Sequence, residues 1–108
     1  MTQKEFDKIK TDLSHLSHEI MEGKRPEYTN ESLDVLQNFK NTAEKLNISP
    51  LKVWSVFFDK QLQSIFTHTC NASLKKSETI ESRFCDVINY CYLGYALFLE
   101  RDNEKKNN

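Results

Sequence analysis

A chain of 108 residues has room for one hydrophobic core, and 15 Lys or Arg against 16 Asp or Glu leave a formal charge of −1, without the positive field that bulk nucleic-acid binding relies on. Two Gly and two Pro are too few for a many-stranded sheet with its turns and suit long helices. No apolar run reaches the roughly 18 residues of a membrane span and Met1–Asp7 holds no apolar signal core, which points to the cytosol.

The first predicted helix runs from Thr2 to about Gly23, where Phe6, Ile9, Leu13, Leu16 and Ile20 recur at steps of three and four and form one apolar stripe. Thr2 suits its cap and Gly23 its stop. Lys24 to Asn30 contains Pro26 and reads as a connection, with Tyr28 large enough to act as an anchor inside it. A second helix is expected over Glu31–Leu46, capped by Asn30, with Leu33, Leu36, Phe39, Ala43 and Leu46 inward.

Asn47-Ile48-Ser49-Pro50 is the clearest boundary, because Ser49 fits an N-cap and Pro50 the first helical position, where its missing N–H costs nothing. The third helix follows to about His68 and is apolar on more than one stripe, so two of its faces should be covered, one of them by a fourth helix or a second subunit. Thr69–Lys76 is a polar loop. Ser77 caps a last helix from Glu78 to about Arg101, which carries Ile80, Phe84, Val87, Ile88, Cys91, Tyr95, Phe98 and Leu99. The expectation is an all-α, four-helix up-and-down bundle over residues 1–101, with a disordered charged tail at 102–108. A chain this short leaves much surface unburied, so self-association is expected as well.

Three cysteines without a Cys-x-x-Cys form neither a disulfide framework nor a zinc ribbon and read as free thiols, two of them buried. His68 and Cys70 supply two ligands, too few for a tetrahedral site. His15, His18, Glu19 and Glu22 share one face of the first helix, as metal ligands or as a solvated surface. Asp86 and Asn89 sit on an apolar segment where a polar residue needs a reason. Asp86 is either a cation ligand opposite Glu19 and Glu22 or one half of a structural ion pair with Arg83 or Lys60. Arg25, Lys40 and Lys60 offer a cationic rim for phosphate, and Tyr28, Trp54 or Tyr90 a ring face for a base. No P-loop, glycine-rich cradle or nucleophile elbow is present. A helix-turn-helix reading around Ser49 and Pro50 fails because the following helix is apolar where a recognition helix is basic.

Arg25-Pro26-Glu27-Tyr28, Leu36-Gln37-Asn38-Phe39-Lys40 with Ala43, Ile48-Ser49-Pro50 with Val53-Trp54, Lys60 and Ile65, and Ser77-Glu78, Arg83 and Asp86-Val87-Ile88-Asn89-Tyr90 follow in order over residues 22–99. This succession resembles a family of small helical proteins common in phages and prophages, itself similar to the all-α nucleoside triphosphate pyrophosphohydrolases, the MazG-like enzymes. The resemblance implies oligomerisation and a phosphorylated nucleotide as ligand, with Arg25, Tyr28, Asn38, Lys60, Arg83, Asp86, Asn89 and Tyr90 as the binding set and Glu19, Glu22 and Asp86 as the ligands of a magnesium ion. Two departures stand out. Arg83 occupies the place of an acid in the second metal motif, and Gln61 replaces the histidine after Lys60. A missing carboxylate and an added positive charge both oppose a bound cation. The readings are a nucleotide-sequestering binder, a divergent metal-dependent pyrophosphohydrolase, or an inhibitor of a host or defence protein acting through protein contacts in the host cytosol.

Overall fold

The computed structural model describes residues 1–29, 33–70 and 79–107, without the side chains of Tyr28 and Asn107. Over these residues the chain forms four α-helices and no strand: α1 (Gln3–Thr29), α2 (Gln37–Leu46), α3 (Pro50–Cys70) and α4 (Ile80–Asn107). The all-α class predicted from the sequence is observed. No described helix is long and apolar enough to cross a membrane.

Local chemistry sets most helix starts. At α1, Thr2 Oγ1 accepts the Glu5 N–H at 3.1 Å while Glu5 Oε2 accepts the Thr2 N–H at 2.8 Å, a reciprocal capping box. Ser49 Oγ accepts the Lys52 N–H at 3.2 Å ahead of Pro50, as expected. At α4, Thr79 Oγ1 takes the Ser82 N–H at 3.2 Å; Ser77 and Glu78, the predicted start, lie outside the described residues, as does Asn30. Asn47 closes α2 in the left-handed region at φ 55°, which asparagine tolerates, and the Ile48 N–H turns back to Ala43 O at 3.1 Å.

Three boundaries differ from expectation. α1 continues through Gly23 and Pro26 to Thr29. Gly23 faces open space with a helical φ, and Pro26 orphans only the Glu22 carbonyl, which belongs to an exposed residue. Thr29 at its end is buried. α2 starts at Gln37 because Asp34 caps a turn before it, accepting the Leu36 N–H at 2.9 Å. Leu33 is consequently fully exposed and Leu46 is also outside the core, whereas Leu36, Phe39 and Ala43 point in. α4 runs past Arg101 to Asn107, with residues 102–106 exposed.

Leu36, Phe39, Ala43, Val53, Leu93 and Leu97 form the core. Trp54 locks α3 to α4: its Nε1–H donates to Tyr90 O at 2.7 Å, and its ring stacks on Phe58 at 4.9 Å between centroids and meets Phe98 edge-on. Gly94 admits it, since a Cβ there would stand 2.3 Å from the indole ring. Contacts of Ser64 with Arg83 and of Trp54 with Tyr90 and Phe98 make α3 antiparallel to α4. Along α1 and α4 the order is the same, Leu13 with Cys85 and Ser17 with Asn89, so these two helices advance together. An alternating up-and-down order would oppose them. With 10 residues, α2 spans only about 15 Å and cannot serve as a full return between longer neighbours.

Along α4, Cys85, Asp86, Asn89, Leu93 and Leu97 face inward, while Ile80, Phe84, Cys91, Tyr95, Phe98 and Leu99 are exposed. Apolar residues surround this helix, so periodicity alone does not choose a face; the Gly94 notch for Trp54 does. Of the three thiols only Cys85 is buried. The molecule is elongated, 51 × 30 × 24 Å, with a radius of gyration of 16.2 Å where a compact chain of this length has about 13 Å.

Candidate functional site

The chemistry-bearing residues concentrate where α1 meets α4. Asp86 is buried and its Oδ1 accepts from Lys24 Nζ at 3.0 Å. The ion pair expected with Arg83 or Lys60 is instead made with Lys24, a residue that sequence reasoning passed over because it lies 62 positions away with no local signal. Asn89, 2% exposed, donates from Nδ2 to Ser17 O at 2.9 Å, and Ser17 Oγ donates to Leu13 O at 2.7 Å. A buried amide and a buried carboxylate are thus partnered by α1, which fixes the register of the two helices. Tyr90 is half-buried and edge-on to Phe39; burial, opposed by the charge of Lys24 and aided by Asp86 and Glu27, lifts its phenol above the usual value and keeps it neutral.

The remaining candidates are dispersed. Arg83 turns to α3, where a guanidinium nitrogen donates to Ser64 Oγ and its Nε is buried without a hydrogen-bond partner. Asn38 and Lys60 are exposed on α2 and α3. Arg25 is exposed on α1 and bonds Glu22 Oε1 at 2.6 Å. Tyr28 lies within α1, its side chain outside the described atoms.

The three carboxylates expected to hold magnesium each face a different cation or imidazole: Glu19 meets His15 at 2.9 Å, Glu22 meets Arg25, and Asp86 meets Lys24. Among the described residues no group of three or more His, Cys, Asp and Glu side chains comes together to share an ion. The residues present do not fit a magnesium centre.

Two adjoining clefts open along the α1–α4 seam. One, about 250 Å³, is lined by Met21, Arg25, Thr29, Val35, Tyr92, Leu93 and Ala96. The other, about 240 Å³, is lined by Ser14, Ser17, His18, Met21, Ile88, Asn89 and Tyr92. Ser14 and His18 of the second cleft and Arg25 of the first follow one another along α1 through Met21, which lines both, at steps of four, three and four, and the Tyr92 ring, 67% exposed, also lines both. The first cleft has apolar walls with a guanidinium and a hydroxyl; the second is mixed, with Ser14, Ser17, His18 and Asn89 beside Met21, Ile88 and the Tyr92 ring. Tyr92 was invisible as a site residue in the sequence because α4 carries three other tyrosine or phenylalanine rings within two turns.

A third cleft, about 410 Å³, sits at the start of α3 and the end of α4, lined by Lys40, Ser49, Pro50, Leu51, Lys52, Leu97, Glu100, Arg101 and Glu104. Its cations are matched by acids: Lys40 bridges Asp34 and Glu100, the latter at 2.8 Å. Burial pulls the Lys40 ammonium down, yet the two carboxylates outweigh it and hold the group above its usual value.

The chain matches no protein-family model, and neither the curated proteins nor the solved structures yield a match.

Proposed function

We propose that the protein binds a phosphorylated nucleotide in the twin cleft between α1 and α4 and sequesters it without turnover, as a member of the phage-type helical family it resembles, acting in the cytosol of a host cell. The observation that carries this reading is the exposed Tyr92 ring between an apolar cleft bordered by Arg25 and a mixed one bordered by His18 and Asn89. A base stacks on an aromatic face, and a guanidinium meets phosphate through paired N–H groups. Together the clefts fall in the size range of small-ligand sites. The separate pairing of Glu19, Glu22 and Asp86 supports binding over metal-assisted hydrolysis.

The test is a panel of nucleoside triphosphates and cyclic nucleotides incubated with the purified chain and magnesium, the free pool being measured before and after heat denaturation. A nucleotide that disappears and returns intact, and that Tyr92→Ala and Arg25→Ala fail to retain, is the expected result. New products would make the chain an enzyme, and a pool unchanged at every concentration would refute nucleotide binding. A second reading, contact with a host protein, is favoured by Val56 and Phe66, both more than half exposed on α3.

A further inference from the structure

We infer that two copies of this chain associate through the exposed stripe of α4, packed antiparallel about a two-fold axis at Cys91. Ile80, Phe84, Ile88, Cys91, Tyr95 and Phe98 recur at steps of three and four, the spacing of a helix–helix seam, on the arc opposite Asp86, Asn89 and Leu93. Ile88 is half-buried and the others are exposed, Tyr95 at 67%. Among the described residues α1 occupies the side of Cys85 and Asn89 and borders the stripe at Ile88, and α3 occupies the side of Tyr90 and Gly94 and reaches the stripe where Trp54 meets Phe98, which leaves Ile80, Phe84, Cys91, Tyr95 and part of Phe98 exposed.

The surface inventory calls for a partner of this kind. The chain exposes 8061 Å², whereas a compact monomer of 12.7 kDa exposes about 6,200 Å². The excess, about 1,800 Å², exceeds the roughly 800 Å² that each partner loses in an interface of standard size. A second copy is self-complementary by symmetry, and charge selects its direction. Glu81 lies in the first turn of α4, Lys105 and Lys106 in the last. Antiparallel copies bring the acidic turn of one toward the basic turn of the other, whereas parallel copies would align like charges. Phe84 and Phe98 stand at equal distances along the chain from Cys91. An axis at Cys91 therefore sets Phe84 of each copy against Phe98 of the other and covers the stripe from Phe84 to Phe98. This inference is independent of any ligand; Tyr92 lies at the flank of the stripe toward α1.

The test is the solution mass of the full chain by sedimentation equilibrium at tens of micromolar, with Phe84→Asp and Tyr95→Asp as variants and helicity as the folding control. A mass of about twice 12.7 kDa is expected, with the dimer weakened by roughly a thousandfold in either variant, since each dimer carries the change twice. Unchanged helicity is expected because both side chains are exposed in the single chain. A monomeric wild type would leave the stripe to a different protein and overturn the proposal, as would a dimer indifferent to both substitutions. In the Cys70→Ser chain Cys91 is the exposed thiol and Cys85 is buried, so copper-catalysed oxidation by dissolved oxygen should join the two copies through Cys91. A dimer that Tyr95→Asp dissolves but that oxidation leaves unlinked refutes the axis at Cys91.

Discussion

Replacing Gly94 by alanine adds one methyl group where there is no room for it. The new Cβ would stand 2.3 Å from two carbons of the Trp54 ring and 2.8 Å from its Nε1. The indole cannot swing aside freely, because it is stacked on Phe58, set against Phe98 and bonded to Tyr90 O at 2.7 Å. Overpacking of a filled core costs about 1–3 kcal/mol, and losing the indole hydrogen bond adds about 1 kcal/mol. Against this, alanine in place of glycine inside a helix gains about 1 kcal/mol. The net expectation is a loss of about 1–3 kcal/mol, or a drop in Tm on the order of 10 °C for a domain of this size. Urea unfolding followed by the fluorescence of Trp54, the single tryptophan, measures it directly. In a Trp54→Leu background the same substitution should turn neutral or stabilising, since the clashing ring is gone. Stabilisation by Gly94→Ala in the wild-type background would refute the close approach and with it the reason why this arc of α4 faces inward.

Asn89→Ala removes a buried amide and its bond to Ser17 O, so stability should fall by about 2 kcal/mol and hydrogen exchange along α1 should quicken, with Asn89→Asp no better because a carboxylate cannot donate to that carbonyl. Stability should also depend on Asp34 in acid. The hydrogen bond from Lys40, then that from the Leu36 N–H, hold its carboxyl below the ordinary 3.8. The unfolded chain therefore binds the proton first, and the stabilisation is complete above about 3.8 and lost as pH falls through the lowered native value. Asp34→Asn should flatten the acid limb of the pH–stability profile, and an unchanged limb would show that Asp34 does not contribute to it.

Helix identity and several ends were legible because they are local. Ser49 followed by Pro50 writes a helix start in two residues, and Asn47 before it can adopt the left-handed stop without help from the rest of the chain. Gly23 and Pro26 carry equally local stop signals, yet α1 continues past both to Thr29, where Lys24 pairs with Asp86 of α4 and Thr29 is buried. The same holds for site residues. The need of Asp86 for a cation could be read from its apolar surroundings, but the identity of Lys24 could not, since the pair joins elements 62 residues apart. Arg83 and Asn89 fall on one helix six residues apart and were expected to line one cleft; the structure turns the first to α3 and the second to α1.

Composition and periodicity by themselves determined that this chain is helical and roughly where its helices lie, because both follow from short-range backbone preference and the spacing of apolar side chains. Which arc of α4 is buried, which way α1 runs beside it, and which residues meet across the α1–α4 seam were decided only in three dimensions. α4 is apolar around much of its circumference, so several packings satisfy its hydrophobic pattern equally. The choice among them rests on contacts between distant residues: the Trp54 ring that fits only over Gly94, and the buried Asn89 amide that needs the Ser17 carbonyl.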